Sequence, residues 1–146
     1  MSDIKDPDAF WRALLSRDDL PPATKLIGFE LIDLSIDAGW CEAYFTLPEA
    51  ATNPGGVAQG GFVSVLLDEV MSLAASIVQP PPAMAPTLQM TTSFIRPVQT
   101  GVRLKGRGAL IRRARAASFT EGWLWDDDGI LLAQATASCI GRPLPS

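Results

Sequence analysis

Hydrophobic and polar positions change period along this chain. Between residues 6 and 17, Phe10, Trp11, Leu14 and Leu15 recur at helical spacing with Pro7 near the start, which predicts a short amphipathic helix. Asp18-Asp19-Leu20-Pro21-Pro22 ends it. Residues 25–37 and 40–47 read as two strands around the turn Asp37-Ala38-Gly39, with Tyr44, Phe45 and Thr46 as strand formers and Pro48 closing the hairpin. Residues 62–78 then contain no Gly or Pro and are apolar on nearly every side, which predicts a buried helix. Gln79-Pro80-Pro81-Pro82 stops that helix. Beyond it the period shortens. Residues 86–96, 102–112, 117–125 and 130–140 read as four strands, with breaks at 97–101, at 113–116 and at the turn Asp126-Asp127-Asp128-Gly129. The tail, 141–146, is expected to fray.

The order is helix, two strands, long helix, four strands. It predicts an α+β domain over residues 1–146, in which an antiparallel sheet wraps around one long central helix after a short N-terminal helix in residues 1–20. Such a sheet leaves open edges, so self-association is expected. Composition narrows the picture. Hydrophobic residues make up 47% of the 146, enough for a core, and a net charge of −4 argues against nucleic acid as a partner. The best candidate for a membrane span is split by Asp68-Glu69, and the N-terminus is polar and acidic rather than signal-like. A cytoplasmic protein is expected, with Cys41 and Cys139 as reduced core residues. The chain has no histidine, which removes His-dependent triads and most zinc sites, so no metal is expected.

The central helix carries the chemistry. A carboxylate on a buried helix is costly unless paired or used, so Asp68 and Glu69 need explaining. At ~100° per residue, Ser64, Asp68, Ser72 and Ala75 share a narrow stripe of small or polar side chains, whereas Glu69 points towards Phe62, Leu66, Leu73 and Ser76. The helix opens from a loop rich in Gly and Pro, Asn53-Pro54-Gly55-Gly56-Val57-Ala58-Gln59-Gly60-Gly61. Free N–H groups in its first turn lie at the positive end of the helix dipole, and glycine there admits close approach by a ligand oxygen. An electrophilic donor site thus precedes a carboxylate by about two turns.

These segments resemble the hotdog-fold acyl-CoA thioesterases of the PaaI-like, phenylacetic acid degradation-type branch. The resemblance rests on Asn53, Gly56, Gln59, Gly60, Gly61 and Asp68, on the strand ending Phe94-Ile95-Arg96-Pro97, and on the closing hairpin from Asp128-Gly129. It implies that the Gly60 N–H meets a thioester carbonyl and that Asp68 is general base or nucleophile. Asn53 would hold the water or the thioester, and Thr87 would orient the carboxylate. Loop and carboxylate would come from different subunits of a homodimer or homotetramer. The substrate would be an acyl-CoA, with coenzyme A part of the substrate rather than a cofactor. Gln59 stands where the family has a histidine; it can hydrogen-bond but cannot shuttle a proton.

Further substrate contacts are expected from Gly61. Val57, Phe62, Val65 and Met90 are candidates to line a pocket for an aromatic or medium-chain acyl group. The cluster Arg112, Arg113 and Arg115 suits phosphates, as do Arg103, Lys105 and Arg107 on one strand face. Plainer readings stand beside these. The arginines could be a solvated turn, Asn53 a turn former and Glu69 a structural residue paired with an arginine across the dimer. Trp11, Trp40, Trp123 and Trp125 are most simply core or interface aromatics. Two rival functions share the fold: an acyl-CoA binding protein without turnover, and a structural or partner-binding subunit.

Overall fold

The computed structural model describes residues 4–145; residues 1–3 of the polar N-terminal stretch and Ser146 of the tail lie outside it. Helix α1 (Pro7–Leu15) starts where Asp6 caps it, its carboxylate accepting the Ala9 N–H at 3.0 Å. Arg12 fastens α1 to the sheet, donating to Asp33 at 2.8 Å and to the Leu34 carbonyl at 2.9 Å. A short helix α2 (Pro22–Leu26) follows, where the sequence reading had placed the start of a strand. Proline at its first position favours the helix, and Gly28, with φ 64°, reverses the chain before strand β1 (Glu30–Ser35) begins.

Strand β2 (Trp40–Thr46) pairs with β1, and α3 (Gly60–Ile77) follows after the glycine loop. Then come β3 (Ala83–Met84), β4 (Thr87–Phe94), β5 (Arg103–Arg113), β6 (Ser118–Trp125), β7 (Leu131–Cys139) and β8 (Arg142–Pro143). Six strands form one antiparallel sheet in the order β1-β2-β5-β6-β7-β4, with α3 against its inner face. This is the sheet-around-helix arrangement the element order predicts, and the hotdog fold the resemblance implies. One expectation fails: the start of the tail is not frayed, because Arg142 and Pro143 pair with Met84 and Ala83 as a second, two-stranded sheet.

The helix sits on the sheet because the sheet makes room for it. A side chain at Gly108 would place its Cβ 2.0 Å from the Val70 carbonyl oxygen. On the neighbouring strand, Cys41 pairs with Gly108, and its thiol donates to the same Val70 carbonyl at 3.2 Å. Burial pushes that thiol up to about 12, so Cys41 is a packing residue. Cys41 and Cys139 are both free and buried, as expected. By length and composition α3 could cross a membrane despite Asp68-Glu69, contrary to the sequence reading, yet here it is the core helix, with Leu66, Leu67, Val70 and Met71 fully buried. Trp11 is in the core, while Trp40 lies under Arg107 and Trp123 stacks with Trp125.

Candidate active site

The loop before α3 is pinned so that the first helical N–H groups stay open. Asn53 closes it: its side-chain oxygen accepts the Gly55 and Val57 N–H groups at 2.8 and 3.3 Å, and its own N–H donates to the Val57 carbonyl at 2.7 Å. The Asn53 oxygen is thus used by the loop itself. Ala58 donates to Val98 and Gln59 to Ala51, fixing the entry to the helix. Gln59 is the N-cap residue, but its exposed side chain makes no capping bond. The N–H groups of Gly60 and Gly61 have no hydrogen-bond acceptor among the described residues. Around Gly61 there is open space where a Cβ would be, and at Gly60 that position lies 3.4 Å from the Phe94 ring. A ligand oxygen can reach these donors, with Phe94 as one wall.

Asp68 and Thr87 are the predicted side chains that the chain itself brings together. The Thr87 hydroxyl donates to Asp68 Oδ1 at 2.5 Å. Strand alternation alone would not achieve this. Met90, Thr92 and Phe94 pair with Ala137, Ala135 and Ala133 on the inner face, so a regular strand would turn Thr87 outward. An extra residue intervenes: Thr87 pairs with Cys139 and Gln89 with Ser138, leaving Leu88 as a bulge and bringing Thr87 inward. The Thr87 hydroxyl also lies 3.9 Å from the Cys139 sulfur. Ser72, a turn beyond Asp68, is occupied in donating to the Ala85 carbonyl at 2.7 Å.

Glu69 faces elsewhere, accepting the Thr24 hydroxyl at 3.2 Å. Within the chain no arginine pairs with it among the described residues. Burial pushes the Glu69 carboxyl up, opposed by the Thr24 hydroxyl and reinforced by the charge of Asp68. It forms part of the wall of an apolar cleft of about 470 Å3 between α1, α2 and α3, with Trp11, Leu14, Leu20, Leu73 and Met84. The sequence pattern does not show this cleft, because it ends the first helix at 18–22, starts a strand at 25 and leaves no helix between. Of the residues expected to line a pocket, Phe62 and Met90 pack against the core, Val57 is in the loop and Val65 is exposed.

The basic residues divide. Arg113 donates to the Val78 carbonyl at 2.7 Å and to Gln79, tying β5 to the C-terminal end of α3. Glu42 neutralises Lys105 and Arg107, at 3.2 and 2.7 Å, and Arg103 lies over the Tyr44 ring. Arg112 and Arg115 are exposed and have no anionic partner among the described residues.

The fold has known counterparts. The sequence family described as Thioesterase superfamily matches residues 55–133. Among solved structures, a phenylacetic acid degradation-related protein from Ralstonia eutropha JMP134 is 34% identical, with a TM-score of 0.81 over 90% of this chain and 98% of that one. Two more distant structures share the fold. A Streptococcus mutans UA159 protein, solved bound to acetyl CoA, is 18% identical with a TM-score of 0.70 over 78% of this chain and 88% of its own. The PaaI protein of the E. coli phenylacetic acid degradation operon is 17% identical with a TM-score of 0.71 over 81% and 86%. No curated protein matches the chain. With more than half its length matched by the family and a relative at 34% identity, the chain belongs to the thioesterase superfamily, in its PaaI-like hotdog branch.

Proposed function

We propose that the protein is an acyl-CoA thioesterase, with the Gly60 N–H polarising the thioester carbonyl and Asp68 as general base or nucleophile. The observation that carries this reading is the Asp68 carboxylate, oriented by the Thr87 hydroxyl at 2.5 Å on a helix whose first N–H groups are free. Thioester hydrolysis builds negative charge on the carbonyl oxygen, and a fixed N–H at a helix start stabilises it. With Asp68 as base, water adds to the carbonyl carbon as its proton passes to the carboxylate. The C–S bond then breaks, and coenzyme A leaves as a thiolate that takes up a proton. A thiolate is a good enough leaving group that no histidine acid is required.

Asp68 lies eight positions beyond Gly60, about 12 Å along the helix, too far to act on one thioester. A second copy therefore completes the site in a homodimer. The edge of β4 suits that role: it is an open sheet edge that, with the residue after it, exposes Leu88, Phe94 and Ile95. The acyl group is aromatic or medium-chain, accommodated by the cleft whose wall includes Ser72, one turn beyond Asp68 on the same side of α3. Of the arginine cluster, Arg112 and Arg115 are free to take the phosphates of coenzyme A. The acetyl-CoA complex of the Streptococcus mutans relative supports this ligand class.

The test is thiol release from a panel of aromatic and aliphatic acyl-CoAs, wild type against Asp68→Ala. Turnover should fall on the order of 10²–10⁴-fold in the variant with its fold and oligomer size unchanged. Turnover that survives removes Asp68 from the mechanism. Saturable acyl-CoA binding by the wild type with no release on any substrate identifies a binding protein instead.

A further inference from the structure

Phe94, the last residue of β4, stands beside the free N–H at the start of α3. It turns one edge of its ring to Gly60, with Cε1 and Cζ 3.4 Å and Cδ1 3.9 Å from where a Cβ would be. Backbone holds this contact from both sides. Phe94 pairs with Ala133, and the Ile95 and Arg96 N–H groups after it both donate to the Leu132 carbonyl, at 2.9 and 3.0 Å. The loop before Gly60 is fastened to the chain just beyond β4, where the Ala58 N–H donates to the Val98 carbonyl at 2.8 Å. Phe94 lies on the inner face with Met90 and Thr92, yet it is 57% exposed. Gly61, one residue along the helix, has nothing within 4 Å of its Cβ position. The approach to the Gly60 donor is therefore walled on one side and open on the other.

We infer that Phe94 is a specificity-determining residue, whose ring fills the space beside the carbon next to the thioester carbonyl and so rejects acyl groups branched at that carbon. A carbonyl oxygen on the Gly60 N–H brings two substituents with it, the sulfur with its pantetheine arm and the first carbon of the acyl group. The arm is long and must reach solvent, which the open side at Gly61 allows. The acyl carbon then faces the ring. A CH2 group fits there at van der Waals distance, whereas a methyl branch needs volume that the ring occupies. The proposed dimer carries this wall to the carboxylate. Thr87, on Asp68, and Phe94, on Gly60, sit at opposite ends of β4, and the Leu88 bulge puts both on the helix side of the sheet. Antiparallel pairing of two β4 edges about a two-fold axis sets the end of one strand beside the start of the other. Phe94 of one copy then stands by Thr87 of the partner subunit, where water or carboxylate must reach the carbonyl carbon.

The inference rests on the proposed thioesterase activity, and its test separates the two. Butyryl-CoA and isobutyryl-CoA are isomers that differ only in that branch. The wild type should prefer butyryl-CoA in kcat/KM by about tenfold or more, the usual effect of one misplaced methyl group in a pocket. Phe94→Ala should bring the ratio to within about threefold of unity through a gain on isobutyryl-CoA, with Phe94→Leu in between. Both isomers are measured on one preparation, so any loss of folded or paired enzyme cancels from the ratio. Pentanoyl-CoA and isovaleryl-CoA, branched one carbon further out, should keep their wild-type ratio in both variants, which a general loosening of the site would not allow. A wild-type ratio near unity, or a ratio unchanged in both variants, overturns the inference while Asp68 stands. Turnover of neither isomer by the wild type removes hydrolysis instead, and the same ratio taken on dissociation constants then supports or overturns the role of Phe94 in the same way.

Discussion

Helix α3 has two working faces, and they are built in opposite ways. Towards β2 and β5 the protein removes side chains: Gly108 lets the Val70 carbonyl come into backbone contact, and beside it the Cys41 thiol donates to the same carbonyl. Towards β4 and β7 it adds polar ones, with Thr87 on Asp68 and Cys139 beside Thr87. The first face fixes where the helix sits. The second could not work without that, since a carboxylate displaced by even 1 Å loses its alignment with a reacting centre. Placement is therefore a matter of packing on one side, and chemistry a matter of hydrogen bonding on the other.

The packing face should be the more sensitive to change. Gly108→Ala puts a methyl group 2.0 Å from the Val70 oxygen, and neither backbone can yield cheaply. The expected cost is about 3 kcal/mol or more, the upper end for overpacked sites. That corresponds to a drop in thermal midpoint on the order of 10 °C, or failure to fold. Thermal unfolding of the variant checks it. A midpoint within a degree or two of wild type would mean that α3 slides freely on the sheet, and the contrast between the faces would dissolve.

The chemical face should break without cost to the fold. Gly60 is the first residue of α3, a position where proline is tolerated because that N–H has no partner within the helix. Gln59 before it is extended, with φ −63° and ψ 138°, as a residue before proline must be. Gly60→Pro therefore deletes a single backbone donor. Turnover should fall on the order of 10²–10³-fold, the usual loss for one oxyanion donor, while the midpoint stays near that of wild type. Gly60→Ala is the control, because it keeps the N–H and brings only an ordinary contact with Phe94. Equal activity in the proline and alanine variants would move the oxyanion site to Gly61 or away from the helix start.

The two faces were not equally legible in the sequence. The buried helix, the glycine loop and the strand order follow from period and punctuation, which are local signals. Asp68 stood out because a carboxylate on an apolar helix demands a reason. Thr87 came only from the resemblance, since strict alternation turns it outward and nothing in Thr87-Leu88-Gln89 announces a bulge. Gly108 looked like any strand glycine, because its role depends on a helix carbonyl 38 positions earlier in the chain. Helix α2 was lost to the apolar run around Leu26 and Ile27, which suits a strand until Gly28 reverses the chain. Pairing across distance is what a linear pattern withholds.

The smallest expected effect concerns Glu69, which lies between the two faces and belongs to neither. Its carboxyl is pushed up chiefly by burial, so the folded protein holds that proton more tightly than the unfolded chain does. The stability this provides is fully present below the ordinary glutamate range. It is lost as pH rises through the raised value, above which an ionised carboxylate sits beside an apolar cleft. Glu69→Gln keeps the shape and the contact with Thr24 but cannot ionise. Its midpoint should match wild type at about pH 4 and exceed it at about pH 8. The gain should amount to no more than a few degrees, with about 2–4 °C for each kcal/mol in a chain near this size. Thermal unfolding of both proteins across that range supplies the difference curve. The opposite sign, a variant weaker than wild type at the alkaline end, would reveal a cation held against Glu69 by a second copy of the chain. The carboxylate beside Asp68 would then be part of the subunit interface, and the cleft it lines would be closed by assembly rather than by substrate.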